Sequence, residues 1–281
     1  FMVPLATGSQ TAGSIIRPAS YCGVVGFKPS YGKVMTAGIK ALSPSLDTMG
    51  CFGRSVGDVA LGVAAMSDDL GLAEIAELNN KPRIAICKTN DWSLASKETA
   101  GAIALARFTA EAIAKGGVRD IDLPSACQEI TLIQSRIMSY EMARTLSFEQ
   151  KHFGKEISSV LSQQLIEGSK INYEQYQRDM HCAKVARLGI DQIFQNEVDI
   201  MIAPSATGEA PSAKDGTGNP VFCRGWTLLG LPCINLNVST GPNGLPIGVQ
   251  LIAGPGKDHF LLSAARAFAK ALPDPVLRDQ A

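Results

Sequence analysis

The residue best placed to do chemistry is Ser14, in the run Gly8-Ser9-Gln10-Thr11-Ala12-Gly13-Ser14-Ile15-Ile16-Arg17-Pro18-Ala19. From Gly8 to Gly23 there are three glycines, three serines and two alanines but a single charged side chain, Arg17. Backbone built from such small residues can come close to a bound molecule. Ser14 follows a glycine and precedes two β-branched isoleucines, a placement that can present a hydroxyl and several N–H groups at one point. A serine nucleophile needs that, and it also needs a base, because an unassisted hydroxyl is a poor nucleophile at neutral pH. Histidine is one solution. None of His152, His181 and His259 is near Ser14 in sequence and no Gly-x-Ser-x-Gly elbow surrounds it. A Ser-His-Asp esterase still stands as an alternative, and it requires one of the three histidines within hydrogen-bond reach of Ser14. The other solution is a lysine whose pKa is lowered by burial.

The elements that must position Ser14 read as α/β. Ser55 caps a helix over about 56–67, with Val56, Val59, Ala60 and Val63 at helical spacing. Arg83 to Cys87 is a short apolar run after Pro82, a buried strand. Ser96 caps a helix over about 97–115 that Gly116-Gly117 closes, and Val118 to Leu123 alternates as a strand. Helices follow at about 126–150, 157–168 and 173–196, the last opened by Asn172 with Gln175 three residues on, and with Ala183, Ala186, Ile190 and Ile193 as its core face. Tyr173, Tyr176, Phe148 and Phe153 could line a pocket, although helix packing explains them more cheaply.

Asp199 to Pro204 is another strand, ending in a Gly/Ser/Ala/Pro-rich loop from Ser205 to Asn219 whose length suits an active-site wall or a mobile segment. A short helix at about 223–230 precedes strands at 234–237 and 247–251, joined by a Gly241-Pro242-Asn243-Gly244 turn. A last helix runs from 258 to about 272 with Leu261, Ala265, Phe268 and Leu272 on one face. The fold class expected is α/β, a mixed central sheet flanked by helices on both faces.

The run from Gly8 to Gly32, through Ser14, Cys22-Gly23-Val24-Val25-Gly26-Phe27-Lys28-Pro29 and Tyr31-Gly32, closely resembles the signature of the amidase signature family. Ser45-Leu46-Asp47-Thr48-Met49-Gly50, Arg54-Ser55-Val56 with Asp58, Trp226 to Pro232, and Gly244 to Leu251 follow in the family's order. The resemblance spans residue 1 to about 271 and is weakest between about 90 and 195. It implies a single domain over 1–281, in which the variable, mainly helical region at about 125–196 covers a substrate channel. It implies Ser14 as nucleophile, with the backbone N–H groups of Thr11, Ala12, Gly13 and Ser14 as oxyanion hole. Ser9 stands where the family has a threonine that supports the hydroxyl network. Ala12 replaces a common glycine and requires an ordinary backbone conformation there.

Arg17 has two readings, a guanidinium that holds a substrate carboxylate or carbonyl, and a buried arginine that pairs with backbone carbonyls to shape the loop, the second favoured. Asp47 caps or pairs within its turn, and Lys28 does structural work. In the family the base is a lysine and a cis-bonded serine relays the proton, both upstream of the first residue here, so neither is assigned. Phe1 opens onto an apolar stretch that reads as the middle of an element. The chain is therefore expected to be the C-terminal portion of a longer enzyme, inactive and poorly soluble by itself.

Composition sets bounds on the rest. The 281 residues are 46% hydrophobic and 19% charged with a net charge of zero, which gives no hint of a nucleic-acid or anionic-membrane partner, and no apolar run reaches membrane-spanning length. The seven cysteines form no Cys-x-x-Cys pair and their number is odd, which fits a reduced, cytoplasmic setting. The histidines lack zinc-binding spacing. Gly216-Thr217-Gly218-Asn219 and Gly254-Pro255-Gly256-Lys257 fail as nucleotide loops. What the resemblance implies is an amidase that cleaves a carboxamide through an acyl-enzyme on Ser14, needs no cofactor or metal and takes a small-molecule amide as partner, its oligomeric state open. A glutamine-amide subunit of an amidotransferase and a truncated non-catalytic homologue are the alternatives.

Overall fold

Alternation along the central strands explains why both faces of the sheet are covered. In the computed structural model, which describes residues 3–274, 277 and 279–281, the strands are β1 (Ala6–Gln10), β2 (Val25–Lys28), β3 (Thr48–Gly53), β4 (Ile84–Ile86), β5 (Val118–Asp120), β6 (Ile200–Pro204), β7 (Cys233–Thr240) and β8 (Pro246–Ala253). They form one sheet in the order β1-β3-β2-β7-β8-β6-β4-β5. Strand β4 pairs in parallel with β5 and β6, and the remaining neighbours are antiparallel. The helices are α1 (Ile16–Cys22), α2 (Val56–Ser67), α3 (Lys97–Glu111), α4 (Ile130–Thr145), α5 (Ser147–Phe153), α6 (Ser159–Lys170), α7 (Tyr173–Asn196), α8 (Val221–Leu229) and α9 (Asp258–Ala271).

Ile84, Ile86, Ile200, Ile202, Ile234 and Leu236 point to one core, shared with α2, α3 and α9. Their neighbours Ala85, Met201, Ala203 and Cys233 point to the other, shared with α4, α7 and α8. This is the period-2 rule of a strand buried on both sides. The mixed sheet with helices on both faces is the architecture expected.

The capping residues read from the sequence work as such. Ser55 and Asp58 form a capping box, Ser96 accepts from Thr99 N–H, and Asn172 from Gln175 N–H. Boundaries differ where tertiary bonds intervene. Helix α3 ends at Glu111 because the chain turns to give Lys115 N–H to the Pro82 carbonyl, 2.8 Å, at the start of β4. The single helix expected over 126–150 is broken at Leu146. There the hydroxyl of Thr145 lies 2.8 Å from the Leu42 carbonyl, and such side-chain bonds compete with helical ones. Helix α6 crosses α4 at Gly168, where a Cβ would lie 2.0 Å from the Ser139 carbonyl oxygen.

The sequence reading missed β1, α1 and β3 outright, and the stretch read as the middle of an element at Phe1 starts outside the described residues. Tyr176 stacks on Tyr140, with centroids 4.1 Å apart, whereas Tyr173, Phe148 and Phe153 are exposed. All seven cysteines are free. No helix among the described residues is long and apolar enough to cross a membrane.

The parallel β4–β6 pair is tied at one end by Arg83 and Asp199. Arg83 Nη2 and Nε donate to the two Asp199 oxygens at 2.7 and 3.1 Å, and Arg83 N–H adds a third bond at 2.7 Å. Burial raises the Asp199 pKa, but the Arg83 bonds and charge outweigh it and hold the carboxyl below its usual 3.8. A folded pKa below the unfolded one means that the stabilisation is complete above the unfolded value and is lost as pH falls through the folded one. With both groups about a third exposed, Asp199→Asn should cost only about 1 kcal/mol at neutral pH. Urea unfolding of parent and variant should show this difference at about pH 7 and a steady narrowing of it as the pH falls below about 4.

Candidate active site

Strand β1 is at the edge of the sheet and ends at Gln10, whose side chain is fully buried. The chain then turns into α1 without a polar N-cap residue, since Ile15 occupies that position. Gln10 does the capping. Its Oε1 accepts from Ile15 N–H and Ile16 N–H at 2.9 and 3.0 Å, and its Nε2 donates to Thr227 Oγ1 on α8 at 2.9 Å.

Between β1 and α1 three successive carbonyls are held. Gln134 Nε2 of α4 donates to Thr11 O at 2.8 Å, Thr227 Oγ1 donates to Ala12 O at 2.8 Å, and Arg17 N–H donates to Gly13 O at 3.0 Å. In a trans peptide the carbonyl of one residue and the N–H of the next point in opposite directions. There is no cis bond among the described residues. The amides of Ala12, Gly13 and Ser14 therefore point away from the groups that grip the carbonyls. These three amides and that of Thr11 donate to no other residue among the described residues.

Gly13 is required by close approach, since a Cβ there would lie 2.9 Å from Pro220 Cβ and 3.0 Å from Cys223 Cβ. Ala12 does not have a positive φ, in keeping with the ordinary conformation expected of it. Cys223 is an inert packing group here, because burial pushes its thiol up to about 12.

Ser14 is exposed and lines a pocket of about 270 Å³ together with Ser9, Thr11, Lys40, Asp47 and Met49. Asp47 builds one wall. It accepts from Leu42 N–H and Ser43 N–H at 2.8 and 2.9 Å, closing its own turn, and from Thr11 Oγ1 across the pocket. Glu141 of α4 supports that turn from behind, accepting from Ser43 Oγ, Ser45 N–H and Tyr176 OH at 2.6, 3.1 and 2.7 Å.

The structure thus brings Ser9, Thr11 and Ser14 to one pocket, with Ala12 and Gly13 in the connecting backbone. Arg17 does not line it. Its Nη1 donates to Gly218 O at 2.6 Å and its Nη2 to Thr217 Oγ1 at 3.3 Å, so it fastens the loop from Ser205 to Asn219, none of which lines the Ser14 pocket. Lys28 is fully buried and donates to Pro29 O at 2.9 Å, and burial lowers its pKa. No histidine lines the pocket or hydrogen-bonds to Ser14 among the described residues. The basic side chain that does line it, Lys40, is exposed and paired with Glu149. No group of three metal-ligating side chains occurs among the described residues.

The profile of the family described as Amidase matches residues 1–262. The chain belongs to the amidase family. Its relatives include two glutamyl-tRNA(Gln) amidotransferase A subunits. The mitochondrial one of Rattus norvegicus is 28% identical over 98% of this chain and 61% of the relative, and that of Rhodopirellula baltica is 28% identical over 96% and 64%. A crystal structure of an amidase superposes with TM-score 0.83 at 25% identity, over 95% of this chain and 62% of that one. A 6-aminohexanoate cyclic dimer hydrolase shares the fold at TM-score 0.82 and 21% identity, over 98% and 67%. The chain thus spans about three fifths of the length of these amidotransferase subunits.

Sequence reasoning missed Gln10, Gln134 and Thr227, the residues that orient the loop of this amidase-family chain. Gln134 had a signal, as a polar residue on the apolar stripe Ile130-Ile133-Ile137 of α4. Gln10 had none. Gln10→Ala removes the partner of two amides and of Thr227 inside the protein. Urea unfolding should show a loss of about 3 kcal/mol, and a loss under about 1 kcal/mol would mean that the loop holds its shape without this side chain.

Proposed function

We propose that this chain carries the nucleophile and oxyanion hole of an amidase, which cleaves a carboxamide to a carboxylate and ammonia or an amine through an acyl-enzyme on Ser14. The observation that carries this reading is an exposed serine hydroxyl beside consecutive unpartnered backbone amides whose carbonyls are all tied down. Ser14 Oγ attacks the carboxamide carbon while a base takes its proton. The carbonyl oxygen becomes an oxyanion and receives hydrogen bonds from the amides of Thr11, Ala12, Gly13 and Ser14. Donors fixed in advance need no rearrangement as the charge forms, and each contributes about 3 to 4 kcal/mol. The proton passes to the leaving nitrogen, the C–N bond breaks, and water then attacks the acyl ester to release the carboxylate and restore Ser14. Ser9 supports the hydroxyl network, and Asp47, with all its bonds directed at the loop and its own turn, positions Thr11.

The base is proposed to come from a part of the enzyme outside these residues. Support comes from the pocket itself, where Lys40 is exposed and already paired with Glu149, and from the greater length of the relatives. On this reading the 281-residue chain has no hydrolytic activity alone. It needs no cofactor, acts in the cytoplasm, and takes a small-molecule amide as substrate. A second reading, a component that hydrolyses the amide of glutamine for an amidotransferase, is favoured by the names of the relatives.

The test is labelling by a fluorophosphonate serine probe. A version extended upstream should label, lose the label in Ser14→Ala, and the 281-residue chain should stay unlabelled. Labelling of the short chain would place a base within it and overturn the proposal. Activity of the extended enzyme on free glutamine against simple amides separates the two readings.

A further inference from the structure

Among the described residues Arg224 is a cation without a counter-ion, in a pocket that shares no lining residue with that of Ser14. It lies in the first turn of α8, and its Nη1 donates to Gln134 Oε1. No carboxylate lies within 4.0 Å of its nitrogens among the described residues. Burial first, and the charge of Arg17 second, press its pKa below the ordinary arginine value. The attraction of a bound anion opposes both effects.

The pocket that Arg224 lines is about 440 Å³, between α4 and α8, with Ile130, Leu132, Phe222, Trp226 and Leu229 as apolar walls. Two carboxylates also belong to its wall. Asp91 accepts from Thr131 Oγ1 at 2.8 Å, and Glu129 is exposed at the start of α4. Neither bonds to Arg224. The remaining donors of a planar guanidinium match a carboxylate with two parallel hydrogen bonds.

We propose that this pocket is a binding site for an organic monocarboxylate, with the carboxylate on Arg224 and an apolar body against Phe222, Trp226 and Leu229. The same Gln134 that accepts from Arg224 holds the Thr11 carbonyl. The ligand therefore sits on the carbonyl side of the Ser14 loop, across from its free amides. The site does not depend on the hydrolytic reading of Ser14, since its geometry and its test involve no turnover.

Benzoate is a suitable probe, and benzamide, its uncharged isostere, the control. Of the two tryptophans, Trp226 lines the pocket and Trp92 does not, so a Trp92→Phe chain reports occupancy through Trp226 fluorescence. Benzoate should give a saturable change with an affinity about tenfold or more above that of benzamide, the effect of one charge-assisted pair. Arg224→Met should weaken benzoate about tenfold or more and leave benzamide unchanged. Equal binding of the two probes, no saturable signal, or benzoate binding untouched by Arg224→Met would each overturn the proposal. Should Arg224→Met fail to fold by its melting curve, the benzoate to benzamide ratio in the Trp92→Phe chain decides alone.

Discussion

Gln10 holds a strand end and a helix start together where no ordinary cap exists. Ile15 cannot satisfy the first amides of α1, and leaving them bare inside the protein costs about 1 to 3 kcal/mol each. A side chain from the end of β1 reaches past four residues and takes two of them. Because Gln10 is also bonded to Thr227, and Thr227 to the Ala12 carbonyl, the loop has one available path. Its carbonyls face α4, α8 and the first turn of α1, so its amides face the other way. The chemistry proposed at Ser14 rests on this constraint more than on the serine, since a hydroxyl alone gives a pocket no preference for a developing negative charge.

The constraint explains why residues far apart in the chain meet here. Thr227 lies beyond the helical region and Gln134 within it. The resemblance to the family implies a cover over a substrate channel for that region. In the structure α4 is also scaffold, since Gln134 holds one side of the Ser14 loop and Glu141, one to two turns further along, holds the turn of Asp47 that forms the opposite wall. Tyr176 ties α7 to the same carboxylate. Variation in these helices therefore acts on the shape of the loop as well as on what lies over it.

How much of this is legible in the sequence follows from what each element is made of. Strands β4 and β6 are unbroken apolar runs, and α2, α3 and α7 begin with side-chain caps, so hydrophobic period and capping chemistry locate them within a few residues. Strand β1 is almost all Gly, Ser, Ala and Thr and β3 is half Gly and Thr, so neither shows a clear period and pairing in the sheet defines them, while α1, seven residues long with a proline inside, is too short to show a helical one. Ser14 and its flanking amides are legible from residue type and from resemblance to the family. The bonds that orient them come from polar side chains in the core, and a sequence does not say which of its glutamines is buried. The alternative of a histidine base requires a contact with Ser14 that is absent among the described residues.

Arginine placement around α8 links these observations. Arg17 donates to Gly218 and Thr217, Arg187 donates to the Leu228 carbonyl at 3.0 and 2.7 Å, and Arg224 donates to Gln134. None has a carboxylate within 4.0 Å among the described residues. In a chain of zero net charge this is a local excess of positive charge, held by neutral partners that orient the guanidiniums without cancelling them. Arg17 follows Ser14 by three residues, and Arg224 is two hydrogen bonds from the Thr11 carbonyl. In a partly dry setting such charges act over longer distances than in water. They add to the field of the free amides and favour negative charge on either side of the loop, which suits the oxyanion proposed at its amides and the carboxylate proposed behind its carbonyls. A glutamate in place of Gln134 would keep an acceptor for Arg224 but cancel its charge and remove the Nε2 donor to the Thr11 carbonyl, two physical reasons for a glutamine there.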